Sequence, residues 1–570
     1  MKNKTMTDRA TVSDVLLEAL HGLGVEYLFA NLGTDYPPII EAMARRSQAG
    51  NPAPTMLLCP HENTAITAAH GYFLGTGRGQ GVFVHVGVGT QNLGGSLANA
   101  ATGRVPMFIF AGRSPVTTRG ERLGSRDNPI HYFQDVRDQA GVIRQFTKWE
   151  FNLELPEQIT YAVHRARRLM ESDPKGLVYM TAAREVLAMP APERGADPFH
   201  WGATPSLGRI SDETARSIAE RLAAAQRPLL ITSYAGRNKG AVDTLVQLSE
   251  TLAMPVLEAG PMYLNFPRDH ENHWGFLPVQ GIAEADLILL VDTDVPWLSK
   301  TVMPRPDTPV LQLDLDPLKP HITMWDFPVT ESYQTDTDIA LASILTHAKG
   351  LDATALDAKP DARREWTAKH RFTPPPPSID NGKLTARSLS ALLGEVLPPE
   401  TVFFDEGITN TAPIREGTRR TVPGTYFGIT GGSLGWGGGA AMGYKLARPE
   451  AEVVLGVGDG SFLFSVPSSL YLTARRYKTP FLTVIYNNSG WNAVRTASLR
   501  VYGEESEVAR SGDFQHDFPS TANLEDIAGA CGCHTGRADS IESMQAALEK
   551  GRKAVKKGQC AVINAMISDP

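Results

Sequence analysis

The chain has 570 residues, a formal net charge of −7, 42% hydrophobic and 21% charged residues, which fits a globular protein of several domains and excludes a fibrous or disordered one. No basic stripe with interleaved aromatics is present, so nucleic acid is not an expected partner, and no apolar run approaches the roughly 20 residues of a membrane span. Four cysteines in this length, behind a polar N-terminus with no apolar core, predict a reduced, cytoplasmic protein without a disulfide framework or signal peptide.

Short apolar β-type runs alternate with amphipathic stretches throughout, which predicts an α/β architecture of parallel sheets covered by helices. The first segment, 8–190, opens with a helix capped by Thr11 and ended by Gly24. Strands are predicted at 27–30, 55–59, 81–86, 107–111 and 177–181. A stretch rich in Pro, Ala and Gly at 188–206 reads as a connector. The second segment, 205–350, carries strands at 227–232, 254–257, 286–292 and 309–314, and no cluster of catalytic groups that stands out. A second connector, 351–383, contains Pro374-Pro375-Pro376-Pro377, which favours an extended, semi-rigid path. The third segment, 384–570, holds the densest glycine clusters.

There, 451–459 reads as a buried strand ending in Gly458-Asp459-Gly460-Ser461. A helical stretch over 465–477 follows, then a strand over 480–486 ending at Asn487-Asn488. Such a strand–helix–strand unit brings both carboxyl ends to one sheet edge, where doubly wound folds bind ligands, so Asp459 and Asn488 converge. Their carboxylate and amide oxygens suit Mg²⁺, which completes its shell with phosphate and water. Gly460 and Ser461 let backbone N–H groups approach a diphosphate at a helix N-terminus. Gly-Asp-Gly alone commonly marks a turn. Gly456-x-Gly458 would suit a dinucleotide fold, but that fold wants an acidic residue where Asn487-Asn488 stands. Cys531-Gly532-Cys533 lacks the second Cys/His pair of a zinc site.

The Gly-Asp-Gly and Asn-Asn pair resembles the signature of the thiamine-diphosphate-dependent enzymes. The likeness, to the branch holding acetolactate synthase, pyruvate oxidase and benzoylformate decarboxylase, runs over nearly the whole chain. It implies three doubly wound parallel-sheet domains: pyrimidine-binding (8–190), central (205–350) and diphosphate-binding (384–570). It implies a homodimer or homotetramer, each active site lying between the first domain of one subunit and the third of its partner. The implied cofactors are thiamine diphosphate and Mg²⁺, the metal held by Asp459, Asn488 and the Gly490 carbonyl. Cys59-Pro60-His61-Glu62-Asn63-Thr64 is similar to the family's His-Glu motif, in which Glu62 would hydrogen-bond the pyrimidine ring nitrogen and drive the tautomer shift that activates the cofactor. Gly431-Gly432-Ser433-Leu434-Gly435-Trp436 resembles the loop whose large aliphatic residue, here Leu434, wedges between the cofactor's rings, with the Gly432 carbonyl accepting from the 4′-amino group. Glu406-Gly407-Ile408-Thr409 is similar to the first diphosphate contact, with Thr409 as donor.

On the substrate side, the stretch beginning His85-Val86-Gly87 is similar to the loop of benzoylformate decarboxylase that carries a proton-transferring histidine, and Leu32-Gly33-Thr34 to one that places a hydroxyl on the substrate carboxylate. Phe133-Gln134-Asp135 and Thr147-Lys148-Trp149 resemble acetolactate synthase instead, which makes Gln134 a further candidate. The stretch 119–131, with Arg119, Arg122, Arg126 and His131, reads either as a solvated loop or as a cationic lid over an anionic substrate. Asp294-Val295-Pro296-Trp297 stands where acetolactate synthase has an Arg-Phe-Asp-Asp-like run, which speaks against FAD. The implied activity is decarboxylation of a small 2-oxo acid to an enamine that is protonated or ligated to a second carbonyl, with His85 and His61 exchanging protons. The alternative is a lyase of the same cofactor class acting on a hydroxyketone, diketone or 2-hydroxyacyl-CoA. A regulator that merely kept the fold would have lost Glu62 or Asp459, and both are present.

Overall fold

The structure, a computed structural model, describes residues 10–192, 204–277, 279–351, 360–374, 376, 382–518 and 523–568. The ends of the outer segments, most of the 188–206 connector, and 352–359, 375 and 377–381 of the second connector lie outside the described residues.

The alternating pattern resolves into three six-stranded parallel sheets with flanking helices, an α/β fold. The first sheet holds β1 (Tyr27–Asn31), β2 (Thr55–Leu58), β3 (Gln80–Val84), β4 (Met107–Arg113), β5 (Thr147–Leu153) and β6 (Leu177–Ala183), in the order β2-β1-β3-β4-β6-β5. The second holds β7 (Pro228–Thr232), β8 (Val256–Glu258), β9 (His273–Phe276), β10 (Leu287–Val291), β11 (Val310–Asp314) and β12 (Glu331–Gln334), in the order β12-β11-β10-β7-β8-β9. The third holds β13 (Val402–Glu406), β14 (Tyr426–Gly428), β15 (Val453–Gly458), β16 (Leu482–Asn487), β17 (His534–Ala538) and β18 (Ala561–Met566), in the order β14-β13-β15-β16-β18-β17. Inner strands such as β10 and β15 are buried at every residue, because helices cover both faces of a parallel sheet. The edge strands β5, β12 and β17 are only partly buried and mix polar with apolar residues, so no apolar run announced them. Among the described residues no helix is long and apolar enough to cross a membrane.

Within the stretch read as an extended connector, Pro360–His370 is instead a helix docked on the second sheet. Arg363 donates to the Leu222 and Ala223 carbonyls, and Trp366 packs edge-on against Trp274 with ring centroids 4.5 Å apart. The second domain also holds a charged cluster that sequence reading missed. Lys319 is fully buried, donates to Asp314 (2.7 Å) and Tyr234 (2.6 Å), and lies 3.1 Å from Asp294. Asp294 in turn accepts from Arg104 of the first domain at 2.7 Å. These groups gather at the carboxyl ends of β7, β10 and β11, where the strand order reverses, and lock the first domain to the second.

The first and third domains meet through the helices Glu62–Thr76 and Gly437–Ala447. A Cβ on Gly71 would sit 1.9 Å from the Ala440 carbonyl oxygen, and one on Gly443 would sit 1.9 Å from the Ala68 carbonyl oxygen. Only glycine at these positions lets the two backbones touch.

Candidate active site

In the first sheet β1 and β3 lie side by side where the strand order reverses, so the loops after them open onto one crevice. Thr34 and Asp35 follow β1, and His85 follows β3. Asp35 is buried, and its Oδ1 lies 2.5 Å from His85 Nδ1, while its Oδ2 accepts from the Val86 N–H at 3.3 Å. Gln134 Nε2 lies 3.0 Å from the other ring nitrogen of His85. Burial works against a charged His85, but the hydrogen bond and charge of Asp35, with Gln134 and the Glu62 charge, outweigh it and leave the His85 pKa raised. Gly33 makes the approach possible, since a Cβ there would fall 2.0 Å from His85 Nδ1.

Glu62 opens the helix Glu62–Thr76 and is buried. Its Oε2 accepts from Asn92 Nδ2 at 3.3 Å, and Gly89 leaves room beside Oε1. His61 is the N-cap of that helix and accepts from the Asn63 N–H through Nδ1 at 3.0 Å, which leaves Nε2 for any other duty. Glu62, His85 and Gln134 therefore belong to one cluster, with Asp35 and Asn92 as members that sequence reading missed.

The 119–131 loop is exposed over 119–123 and 127–130 and anchored at 124–126 and His131. Arg184 donates to the Gly124 and Ser125 carbonyls (both 2.6 Å) and to the Thr34 carbonyl (3.1 Å), and Glu185 accepts from the Val116 and Thr117 N–H groups. Arg126 turns inward to Pro115 O at 2.7 Å, whereas Arg119 and Arg122 stay exposed. His131 is buried 3.4 Å from Thr34 Oγ1. Its Nδ1 is 3.4 Å from Asp127 Oδ1, near enough for charge attraction but without hydrogen-bond geometry. Burial, then Arg184, push the His131 pKa down against the pull of Asp127.

In the third domain β15 delivers Asp459 and β16 delivers Asn487-Asn488 to the same edge. The expected single helix after β15 is two, Asp459–Phe464 and Pro467–Tyr477, broken at Pro467. Asp459 accepts from the Gly460 N–H (2.7 Å) and the Gly490 N–H (3.0 Å), so the 488–490 turn folds over it. Burial raises the Asp459 pKa, with those backbone donors pulling it back. Asn487 Nδ2 donates to Asn564 Oδ1 at 3.0 Å, while Asn488 has no side-chain hydrogen bond among the described residues. The Gly490 carbonyl accepts from Asn492 N–H at 3.1 Å and keeps a second lone pair. A Cβ on Gly460 would meet Trp491 at 2.6 Å. Thr409 is exposed in the turn Ile408–Asn410, and Ser461 is buried. Among the described residues no three His, Cys, Asp or Glu side chains converge as a metal site. A cation here would rest on one carboxylate plus amide and carbonyl oxygens, a donor set that suits Mg²⁺ shared with phosphate.

The Gly431–Trp436 loop, with Gly432 and Gly435 at φ +76° and +88°, is held from three sides. Buried Asn99 accepts from the Gly431 and Ser433 N–H groups (3.0 and 3.1 Å) and donates to Ser433 O (2.7 Å). Asn63 donates to Gly435 O at 3.0 Å. Glu406 accepts from the Gly435 and Gly437 N–H groups, both at 2.5 Å, and burial pushes its pKa up to about 7 despite those donors. Leu434, half-buried, projects from a loop whose shape is thus fixed by two domains of one chain. No local signal could have disclosed Asn99 or Glu406 in these duties, since their partners lie far along the sequence. Asp35, a carboxylate just past a strand end and next to Thr34, could have been noticed. A separate cavity of about 500 Å³, lined by Arg104, Tyr234, Arg237 and Arg448 among others, includes none of the candidate site residues.

Models of the thiamine pyrophosphate enzymes match three stretches of the chain: the N-terminal TPP binding domain at residues 10–142, the central domain at 215–330 and the C-terminal TPP binding domain at 412–565. Among characterised relatives, benzoylformate decarboxylase of Pseudomonas aeruginosa is 26% identical over 499 residues, covering 85% of this chain and 87% of that protein. Acetolactate synthase of Mycobacterium leprae is 24% identical over 567 residues, covering 95% and 85%. In fold, the chain is similar to the thiamine diphosphate-dependent 4-hydroxybenzoylformate decarboxylase of Rhodococcus jostii RHA1, with a TM-score of 0.80 at 22% identity, covering 98% of this chain and 100% of that one.

Proposed function

The chain belongs to the thiamine pyrophosphate enzyme family, and from that premise we propose that it is a Mg²⁺- and thiamine-diphosphate-dependent decarboxylase of a small 2-oxo acid that releases an aldehyde. The observation that carries this reading is the Asp35–His85 pair beside Glu62: a buried carboxylate 2.5 Å from the ring and a raised pKa make His85 a ready proton donor near neutral pH. A proton delivered to the nucleophilic carbon ends the reaction at an aldehyde, whereas a carboligase must keep that carbon for its acceptor. The relatives include both a benzoylformate decarboxylase and an acetolactate synthase, so they are compatible with either outcome.

Thiamine diphosphate, when bound, supplies an electron sink next to the substrate carbonyl so that CO₂ can leave. This chain's residues do the rest. Asp459, Asn488 and the Gly490 carbonyl would hold Mg²⁺, and Thr409 with the Gly460 and Ser461 N–H groups would hold the diphosphate. Leu434 and the Gly432 carbonyl would fix the ring geometry. Glu62 would share a proton with the pyrimidine ring, and Thr34 would meet the substrate carboxylate. His85 would deliver its proton to the product carbon, with Gln134 steadying the ring. His61 caps its helix through Nδ1 and would exchange protons through Nε2. We further propose a homodimer or larger even assembly in which Glu62 of one subunit faces Asp459 of another. Large exposed side chains at the end of the helix Asn492–Tyr502, which follows the Asn488 turn, Val501 (71%) and Tyr502 (73%), support a covered surface on the third domain.

The test is a panel of 2-oxo acids given to the purified protein with Mg²⁺ and thiamine diphosphate, with and without an acceptor aldehyde or ketone. CO₂ with one equivalent of aldehyde is the expected result. CO₂ only in the presence of acceptor, with a hydroxyketone product, would replace this reading with a carboligase. No CO₂ from any acid would turn attention to hydroxyketones, diketones and 2-hydroxyacyl-CoA.

A further inference from the structure

Two histidines reach the crevice after β1 and β3, and they arrive from different directions. His85 ends β3. His131 sits in the short helix Ile130–Phe133, and Gln134, the C-cap of that helix, lies against the His85 ring. His131 and Gln134 are three residues apart, so they share one side of the turn. On the facing segment two consecutive residues take one ring each: Thr34 Oγ1 is 3.4 Å from His131 Nε2, and Asp35 Oδ1 is 2.5 Å from His85 Nδ1. Both imidazoles are thus bracketed between residues 34–35 and 131–134. Arg184, on the Gly124 and Ser125 carbonyls, and Arg126, on the His131 carbonyl at 3.0 Å, hold His131 in its place beside Thr34.

We propose that His131 is the second proton-handling group of this site, accepting where His85 donates; this rests on the decarboxylase reading above. The surroundings of the two rings differ in sign. His85 faces Asp35, Glu62 and Gln134, with His131 beyond; His131 faces Arg184, Arg126, Asp127, Thr34 and His85. The first setting favours imidazolium and the second neutral imidazole, the separation that assigns acid and base roles to two like groups. Either end of the Gln134 amide can face His85 Nε2, accepting when that nitrogen is protonated. As the aldehyde leaves, its C–H bond is made with the proton of His85 Nε2, and its carbonyl re-forms as the hydroxyl proton passes to His131 Nε2. Thiamine diphosphate, when bound, would take back the electron pair released as the aldehyde departs. His131 gives its proton to the carbonyl oxygen of the next substrate, and water reprotonates His85, so one proton is consumed per CO₂ released.

The experiment begins without cofactor. Protein labelled with ¹³C,¹⁵N-histidine is titrated by NMR, with signals assigned through His85→Gln and His131→Gln. His85 is expected to titrate above the ordinary 6.5 and His131 below it, with Asp35→Asn lowering the His85 midpoint and leaving His131 neutral at pH 7. A His131 that titrates at or above His85 overturns the proposal. On the loaded enzyme with its best 2-oxo acid, His131→Gln is expected to lower kcat roughly 100-fold and to remove the acidic limb of the kcat–pH profile, at unchanged thiamine diphosphate affinity. An unchanged kcat and profile overturns it. His131→Asn, which keeps a polar group near Thr34, together with thermal melts, separates chemistry from a disturbed loop. If wild type turns over no 2-oxo acid, the decarboxylase reading fails, and the cofactor-free titration still decides whether the two histidines are an unlike pair.

Discussion

Glu62 and Asp35 are both buried carboxyl groups at the crevice, yet they serve different partners. Among the described residues Glu62 has one side-chain hydrogen bond, from the Asn92 amide, with the His61 ring 4.0 Å away, which leaves the carboxyl able to engage a ring nitrogen. Glu62→Gln is therefore expected to bind thiamine diphosphate within a few-fold of wild type and to lose turnover roughly 10²–10⁴-fold, which calorimetric binding and steady-state rates on one preparation would show; full turnover in the variant would remove Glu62 from the mechanism. In the proposed mechanism Asp35 acts through His85, as a positioning residue. A general acid loses activity as pH rises through its pKa, and Asp35 is what raises that pKa. Asp35→Asn should move the alkaline limb of the kcat–pH profile to lower pH and cut kcat at neutral pH roughly 10-fold or more, with KM little changed. A limb that stays in place would mean that Asp35 only shapes the loop.

At the scale of elements, the Gly431–Gly437 loop is the most heavily braced backbone of the site. Asn99→Ala removes three hydrogen bonds from the partly buried Gly431 and Ser433 backbone, at about 0.5–1.5 kcal/mol for each bond lost. Faster hydrogen exchange over 430–436 and weaker thiamine diphosphate binding are the expected readouts. Glu406 makes the same loop sensitive to pH. Its folded pKa of about 7 lies above the ordinary 4.5, so the folded protein holds this proton more tightly than the unfolded chain. The associated stability is present below about pH 4.5 and is lost as pH rises to about 7, up to about 3 kcal/mol. Denaturation of cofactor-free protein between pH 5 and 8 should show that fall, and Glu406→Gln should flatten it. Legibility in the sequence divided along the same line. Central strands such as β10 were readable because burial on both faces leaves an unbroken apolar run, and the placement of Asp459 and Gly490 at one sheet edge and of Glu62 at a helix start was readable because short motifs mark those strand and helix ends. Edge strands β5, β12 and β17 carry no such run. Asn99 and His131 gain their positions from contacts 332 and 97 residues away, which no local pattern records.

The whole molecule is a chain of three sheets whose first and third members touch while the second is latched to the first through Arg104 and Asp294. If sites are shared between subunits, specific activity should fall on dilution below the dimer dissociation constant and recover with added protein, in step with the mass seen by sedimentation. A specific activity independent of concentration, in a species of monomer mass, would place the complete site within one chain. The contact between the Glu62 and Gly437 helices has a further bearing, on biosynthesis. Asn63 and Gly435 stand 372 residues apart, and at ~5–20 residues per second a ribosome needs roughly 20–70 s to make that intervening chain. Through that interval the small-residue face of the Glu62 helix, including Gly71 and Ala68, waits in water for a partner not yet synthesised. The first domain is thus born unfinished, and its solubility in the cell rests on whatever shields that face until the last third of the polypeptide arrives.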